Sequence, residues 1–368
     1  KSTETPSINV GEWNKLFTTK TKGKFENKIL PNYLNNCRWF GGKSRVIQNI
    51  SIVGNIKIPV KDLEANLITI EVNYNDGVPE LYQLPLAFLP NWKEELVKEV
   101  PNKGIIANLT VGEEEGILFD AVYHEDFRNI LFQNIRKSKK IQDSSGSLVF
   151  YNSNNGQNAL DKGEISSKVL NAEQSNTSLV FNNKYFLKLY RKLDNTINPD
   201  LEITRYLTEK TDYKNSPHFV GAIELNSGPK NSIVLGMMQD LIPNQGDAWE
   251  YTKDSLERFF EGVMTKAKDK EVEKASGELT TPISYEKLPE CFKEIAGYVY
   301  PERVHLLGQR TAEMHAALAA NPDEKDFEQE EFSLHYQRSL FSSLQSLTRN
   351  SFNNLQKSLK NLPDEVKK

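Results

Sequence analysis

Apolar and polar positions alternate with a period of two over residues 46–89. Ile68, Ile70, Val72 and Tyr74 fall on one face and Thr69, Glu71 and Asn73 on the other, Asn75-Asp76-Gly77 marks a turn, and Tyr82, Leu84 and Leu86 resume the alternation. This pattern predicts a twisted antiparallel sheet with one wet face. Two more strands are expected over 105–111 and 116–122, then a helix over 125–136 whose Phe127, Ile130 and Leu131 share a face. Another helix is expected over 24–35, interrupted by Pro31, and two further strands over 218–224 and 233–238. From 243 onward helices dominate, over 249–266, around Val304, Leu307, Thr311, Met314 and Leu318 as a buried seam, and over 332–359 with Leu340, Leu344 and Leu347 on one stripe. Residues 1–10 read as a linker, 144–163 as mostly loop and 266–280 as a charged, solvated loop. The fold class is therefore α+β.

The chemistry concentrates between Glu173 and Glu202. A polar run, Glu173-Gln174-Ser175-Asn176-Thr177-Ser178, precedes Leu179-Val180-Phe181, an Asn182-Asn183 turn, and the strand Tyr185-Phe186-Leu187-Lys188-Leu189-Tyr190. Small hydroxyl and amide residues suit phosphate oxygens, and Asn tolerates the positive φ of a hairpin turn. Lys188 sits mid-strand among apolar neighbours, where an ammonium is costly without a negative partner. Asn198 is a good N-cap, Pro199 suits the first helical position, and Asp200 and Glu202 place carboxylates in the first turn. Ile203, Tyr206 and Leu207 supply the apolar face of that helix. A strand lysine paired with a helix glutamate, here Lys188 with Glu202, is how a kinase-like lobe holds ATP phosphates. The same pair also arises by chance in α+β folds that bind no nucleotide.

Composition narrows the partners. The chain has 368 residues, with 46 Lys and Arg against 50 Asp and Glu and a net charge of −4, enough for two or three domains and too little positive charge for nucleic acid. Cys37 and Cys291 stand far apart and read as reduced thiols of a cytosolic protein. No apolar run approaches a membrane span, and no signal peptide opens the chain.

Three shorter motifs fail on their own chemistry. Gly42-Lys43-Ser44 imitates the end of a P-loop, but Cys37 occupies the position of its first glycine. The His124-Glu125-Asp126 triplet imitates a catalytic loop, but Leu131 stands where that loop needs Asn. Asp326-Phe327-Glu328 imitates a metal-binding turn with no catalytic loop before it, and reads as an acidic linker. His315 reads as a hydrogen-bonded packing residue, and Trp39 and Phe40 as core residues beside a tight glycine turn.

Several ordered segments resemble the maltokinase family. They are the Glu-Gln-Ser-Asn-Thr-Ser run at 173–178, Leu187-Lys188-Leu189 and Asn198-Pro199-Asp200-Leu201-Glu202, together with Leu30-Pro31-Asn32-Tyr33-Leu34 through Arg38-Trp39-Phe40-Gly41-Gly42-Lys43-Ser44-Arg45. Pro243-Asn244-Gln245-Gly246-Asp247-Ala248-Trp249 and the segment Leu306 to His315 extend the similarity over most of the chain. The resemblance implies a protein-kinase-like bilobal fold with a β-rich cap over 1–95, a lobe with an ATP clamp over 96–242 and a partial helical lobe over 243–368. It implies ATP at Gln174, Ser175, Asn176, Thr177, Ser178, Lys188 and Glu202, with a hinge at Gln239, Asp240 and Leu241 reading the adenine edge and Met237 and Met238 packed nearby. In that family the cap leans on the ATP lobe, which leaves room for a gating role.

The resemblance further implies Mg2+, maltose as acceptor, maltose 1-phosphate as product for α-glucan (glycogen) synthesis, and a fused or associated trehalose synthase in the cytoplasm. The opening Lys1 in place of Met fits a piece of something longer. No H-x-D-x-x-x-x-N loop follows Met238, so the expectation is that no catalytic or metal-ligating residue lies in this chain, and that it turns over nothing alone. Two alternatives stand beside this reading. One is a non-catalytic cap or regulatory module fused to a trehalose synthase. The other is a relative of the aminoglycoside phosphotransferases, which lack the Arg-Trp-Phe-Gly-Gly segment.

Overall fold

Two antiparallel-rich sheets share one core in the computed structural model, which describes residues 5–143, 146–153, 160, 163–170, 175–226, 232–266, 283–321 and 324–364. The first sheet contains β1 (Ser7–Val10), β2 (Ile47–Lys57), β3 (Glu64–Tyr74), β4 (Glu80–Pro90), β5 (Ile105–Val111) and β6 (Glu114–Asp120), in the order β1-β5-β6-β4-β3-β2. Residues 7–10 are thus no linker. They pair in parallel with β5, and Ile8 and Val10 are buried. Four residues carry too short an alternation to announce a strand whose partner lies about a hundred positions away. Because β5 and β6 complete this sheet, it also continues beyond position 95.

The expected wet face is not wet. Ile68, Ile70, Val72, Tyr82, Leu84 and Leu86 pack on one side beneath a helical run, α1 (Thr19–Lys24) and α2 (Leu30–Asn36). A π-helical turn at Phe25–Ile29 joins these two helices. Pro31 has no N–H to return to Asn27, and a wider turn ahead of it lets the helix continue where a break was expected. The opposite face of the sheet carries Leu67, Ala87, Leu89 and Phe119 into a second core. Two buried polar residues, Asn66 on the helix-covered face and Gln83 on the opposite one, are hydrogen-bonded. Asn66 accepts from Trp13 Nε1 at 2.7 Å, and Gln83 Nε2 donates to the carbonyls of Tyr190 at 2.9 Å and Leu235 at 2.5 Å.

That second core is filled from α4 (Glu125–Arg136) and from a second sheet. Its strands are β7 (Lys140–Asp143), β8 (Gly146–Asn152), β9 (Ser167–Leu170), β10 (Asn176–Phe181), β11 (Tyr185–Tyr190), β13 (Phe219–Asn226) and β14 (Ser232–Asp240), in the order β7-β8-β13-β14-β11-β10-β9. The short β12 (Lys192–Leu193) follows β11 but pairs with β4, so the chain crosses from one sheet to the other at Arg191. The stretch 146–152 is therefore strand where loop was expected. Positions 144–145, 154–159 and 161–162 of the expected 144–163 loop lie outside the described residues, as do 267–280 of the expected charged loop. α4 begins and ends where its periodicity placed it, with Phe127, Leu131, Phe132 and Ile135 buried.

Helix α5 (Pro199–Lys210) packs on the other face of the second sheet, where Leu201 joins Tyr190, Phe219, Ala222 and Met237. Short α3 (Glu94–Glu99) follows β4. After β14 come α6 (Ala248–Lys266), α7 (Glu290–Ala296), α8 (Val299–Leu318) and α9 (Leu334–Ser358). The chain divides into a unit of residues Lys1–Met314 and one of His315–Lys368. The α8 positions expected to form a buried seam are not buried, Val304 being 49% and Leu307 59% exposed, and His315 is exposed rather than packed. In α9 the stripe of Leu340, Leu344 and Leu347 is likewise exposed. Helical spacing creates an apolar face but does not say what covers it. None of the helices described is long and apolar enough to cross a membrane.

Candidate functional site

Strand alternation sorts β11 into two sets. Tyr185, Leu187 and Leu189 enter the shared core, while Phe186, Lys188 and Tyr190 face the α5 side. Asn182 and Asn183 turn the chain into this strand with φ values of 52° and 51°, the left-handed conformation their side chains tolerate. Across the sheet, Lys188 stands beside Ser178 of β10 and Met237 of β14.

α5 then brings in a carboxylate. The Asn198 side chain accepts from the backbone N–H groups of Asp200 at 3.0 Å and Leu201 at 3.1 Å, with Pro199 opening the helix. This cap points Asp200 at the strand. Lys188 Nζ donates to Asp200 Oδ2 at 2.9 Å, and the Tyr190 hydroxyl donates to the same oxygen at 3.0 Å. The expected pairing with Glu202 is therefore corrected, since the lysine meets Asp200. Residues two apart on a helix lie about 200° apart, so only one of the two can face the strand. The side chains of Lys188 and Asp200 are 22% and 38% exposed, so the ammonium is reachable from solvent.

The polar run ahead of the hairpin differs from its expectation. Ser175 is exposed at a bend, but Asn176, Thr177 and Ser178 already belong to β10, with Thr177 and Ser178 buried. Consecutive residues of a strand face opposite sides, so these three do not form a continuous rim. Ser178 lies on the Lys188 side and its buried Oγ has no partner among the described residues, whereas the Thr177 hydroxyl points to the back of the sheet. Gln174 lies outside the described residues.

At the expected hinge, Gln239 and Asp240 end β14, pairing with Phe186 and Tyr185. The Asp240 N–H donates to His218 O at 2.9 Å and the Leu241 N–H to Lys184 O at 2.7 Å. These two donors are thus occupied by the protein itself and not presented to a base edge. Burial pushes the Asp240 carboxyl above its ordinary value, with His218, Nδ1 at 3.6 Å, opposing the shift. Met237 and Met238 are both fully buried, on opposite faces of the sheet.

Sequence reasoning missed the most deeply buried charges near this site. Arg191 Nη2 donates to Asp120 Oδ2 at 2.6 Å, with both side chains only 1% exposed. Arg191 Nε donates to Thr177 Oγ1 at 2.7 Å, and the guanidinium lies 5.0 Å from the Trp39 ring centre. Asp120 also accepts from the Tyr33 hydroxyl at 3.4 Å and the Val122 N–H at 3.3 Å. Burial works against both charges. For Arg191 the Asp120 carboxylate overcomes it and raises the guanidinium, while Asp120 stays above its usual range despite Arg191. The guanidinium keeps its proton under all conditions a fold survives, and at 2.6 Å its charge favours the ionised carboxylate against the burial that opposes it. Burial also pushes the neighbouring Cys37 thiol up to about 12, leaving it inert. An arginine following an apolar strand normally reads as solvated, and only the crossing between sheets buries this one.

The segment 38–45 has the packing role expected of it. Phe40 is buried, and Trp39 and Phe40 both stack near Tyr82. Gly42 is buried where a methyl group would collide with the Tyr74 hydroxyl and the Phe40 ring.

The chain is similar to known proteins in two respects. Residues 33–123 match the family model described as the maltokinase N-terminal cap domain, a span holding Tyr33, Trp39, Gln83 and Asp120. A solved structure described as a glucosamine kinase (crystal form B) aligns with 61% of this chain at 12% identity and a TM-score of 0.35, and the chain spans 42% of that protein's length. Residues 33–123 are thus similar to the N-terminal cap domain of the maltokinases.

Proposed function

We propose that the chain binds ATP on the Lys188 face of the second sheet and serves an ATP-dependent phosphorylation of maltose to maltose 1-phosphate. The observation that carries this reading is the Lys188–Asp200 contact at 2.9 Å, beside a two-asparagine hairpin and in the same chain as the maltokinase cap. A solvent-reachable ammonium held by one carboxylate is suited to anionic phosphate oxygens, which a guanidinium or ammonium binds more strongly than a neutral donor does. The residues present fit part of a nucleotide. Lys188 would meet the phosphates, and Asp200 and Tyr190 would orient it. Adenine would be read by groups other than the Asp240 and Leu241 N–H donors, which His218 and Lys184 occupy. Mg2+, when bound with ATP, would offset phosphate charge. This chain's own contribution is to hold Lys188 oriented and partly shielded from water.

The test is calorimetric titration of the chain with Mg-ATP, repeated on Lys188→Met, and 31P NMR of the parent enzyme that carries this chain mixed with ATP and maltose. Binding that is lost in Lys188→Met supports the clamp, and a new sugar-phosphate resonance supports the acceptor. Absence of binding at millimolar ATP in the unmodified chain refutes the nucleotide reading. Phosphorylation of glucose or trehalose in place of maltose refutes the acceptor alone.

A further inference from the structure

The nucleotide face and the cap meet at the buried Arg191 side chain. Arg191 is the residue at which the chain leaves β11, the strand of Lys188, and enters β12 on the first sheet. Its backbone carbonyl accepts the Gln83 N–H at 2.9 Å, and the Gln83 side chain spans back to the carbonyls of Tyr190 and Leu235 in the second sheet. Its guanidinium faces three elements at once. Asp120 of β6 holds Nη2, Thr177 of β10 holds Nε, and Trp39 covers the group. Asp120, Gln83 and Trp39 all lie within the 33–123 cap match.

Thr177 occupies the point where the chain enters the hairpin. It pairs with Leu189, and the next residue, Ser178, pairs with Lys188. The Thr177 hydroxyl therefore ties the root of the hairpin to the cap from the side opposite Lys188. A hydrogen bond from a charged donor that is fully shielded from water is both directional and costly to leave unmade. Displacing Thr177 moves Ser178 and the chain leading into it relative to the Lys188 ammonium.

We infer that Arg191 is a positioning residue through which the cap sets the hairpin for phosphate binding, so that cap residues control triphosphate affinity without touching the nucleotide. This rests on the ATP reading above and adds to it the route by which the cap acts. The cap is on this account a fixed brace of the nucleotide face, because a buried ion pair with a shared hydroxyl resists opening.

The experiment compares ATP and AMP affinities of the intact chain with those of Thr177→Val, Thr177→Ser and Asp120→Asn, with thermal melting as a folding control. Thr177→Val is expected to weaken ATP about tenfold, the loss of one charge-assisted hydrogen bond, while AMP binding stays as it was. Thr177→Ser, which keeps the hydroxyl, restores ATP affinity. Asp120→Asn, a change confined to the cap, shifts ATP affinity in the same direction as Thr177→Val. A Thr177→Val chain that melts earlier but keeps the unmodified ratio of ATP to AMP affinity overturns the proposal and leaves the ATP reading intact. An unmodified chain that binds neither ligand removes both.

Discussion

Replacing Asp120 by Asn tests the central contact most directly. The side chain keeps its shape and an acceptor oxygen but loses its charge, leaving the Arg191 guanidinium inside the protein with only neutral acceptors. The site has no slack for this. Both side chains are 1% exposed, the contact is 2.6 Å, and Arg191 Nη1 already lacks a partner among the described residues. Breaking a buried ion pair from one side costs about 3–5 kcal/mol, and the retained amide oxygen places Asp120→Asn near the lower end. Removing both charges with Asp120→Leu and Arg191→Met should cost less than the sum of the two single changes by about 2 kcal/mol or more, because no orphaned charge remains. Amide hydrogen exchange in β10 and β11 reads the opening free energy of that sheet, with no need for the whole chain to unfold in one step. A cost below about 1 kcal/mol for Asp120→Asn, or strict additivity in the double variant, would show that the pair is not what holds the two sheets together.

Three further outcomes follow from the same geometry. If Asp200 is the partner of Lys188, Asp200→Ala weakens ATP binding while Glu202→Ala leaves it within about twofold, as calorimetry would show, and the reverse order would restore the Glu202 pairing. Burial alone would raise Glu80, but hydrogen bonds from Lys192, Tyr74 and Tyr82 hold its carboxyl at about 2 against an ordinary 4.5. A depressed carboxylate stabilises the fold above pH 4.5 and loses that contribution as pH falls toward 2, so acid titration of unfolding should show roughly 1–2 kcal/mol, after solvent screening, that Glu80→Gln lacks. Gly42→Ala, forcing a methyl against Tyr74 and Phe40, should destabilise the cap by about 1–3 kcal/mol in thermal or urea melts, and an unchanged midpoint would mean the turn relaxes freely.

The hairpin, its lysine strand and the helix that follows were legible because each rests on local rules. Two asparagines permit positive φ, alternating bulky residues make β11, and Asn198-Pro199 starts α5. The partner of Lys188 was not legible, since Asp200 and Glu202 are equivalent by spacing and only the orientation of α5 against the sheet selects one. The polar run at 173–178 looked like loop from its residue types, yet pairing with β11 draws Asn176–Phe181 into a strand and turns Thr177 away from Lys188. The hinge backbone was misjudged for a related reason, because which N–H groups remain free depends on neighbours as distant as Lys184 and His218.

By itself, then, the chain's order of residues determined the periods, the turns, the caps and the α+β class, all of which arise from interactions within a few positions. Tertiary structure decided what covered each face. It filled the supposedly wet side of the first sheet with α4 and the second sheet, and left the α8 positions Val304 and Leu307 exposed. It also buried Arg191 against Asp120, two residues 71 positions apart. A charge survives in such a place only when a distant opposite charge arrives with it, and nothing local to either residue records that meeting.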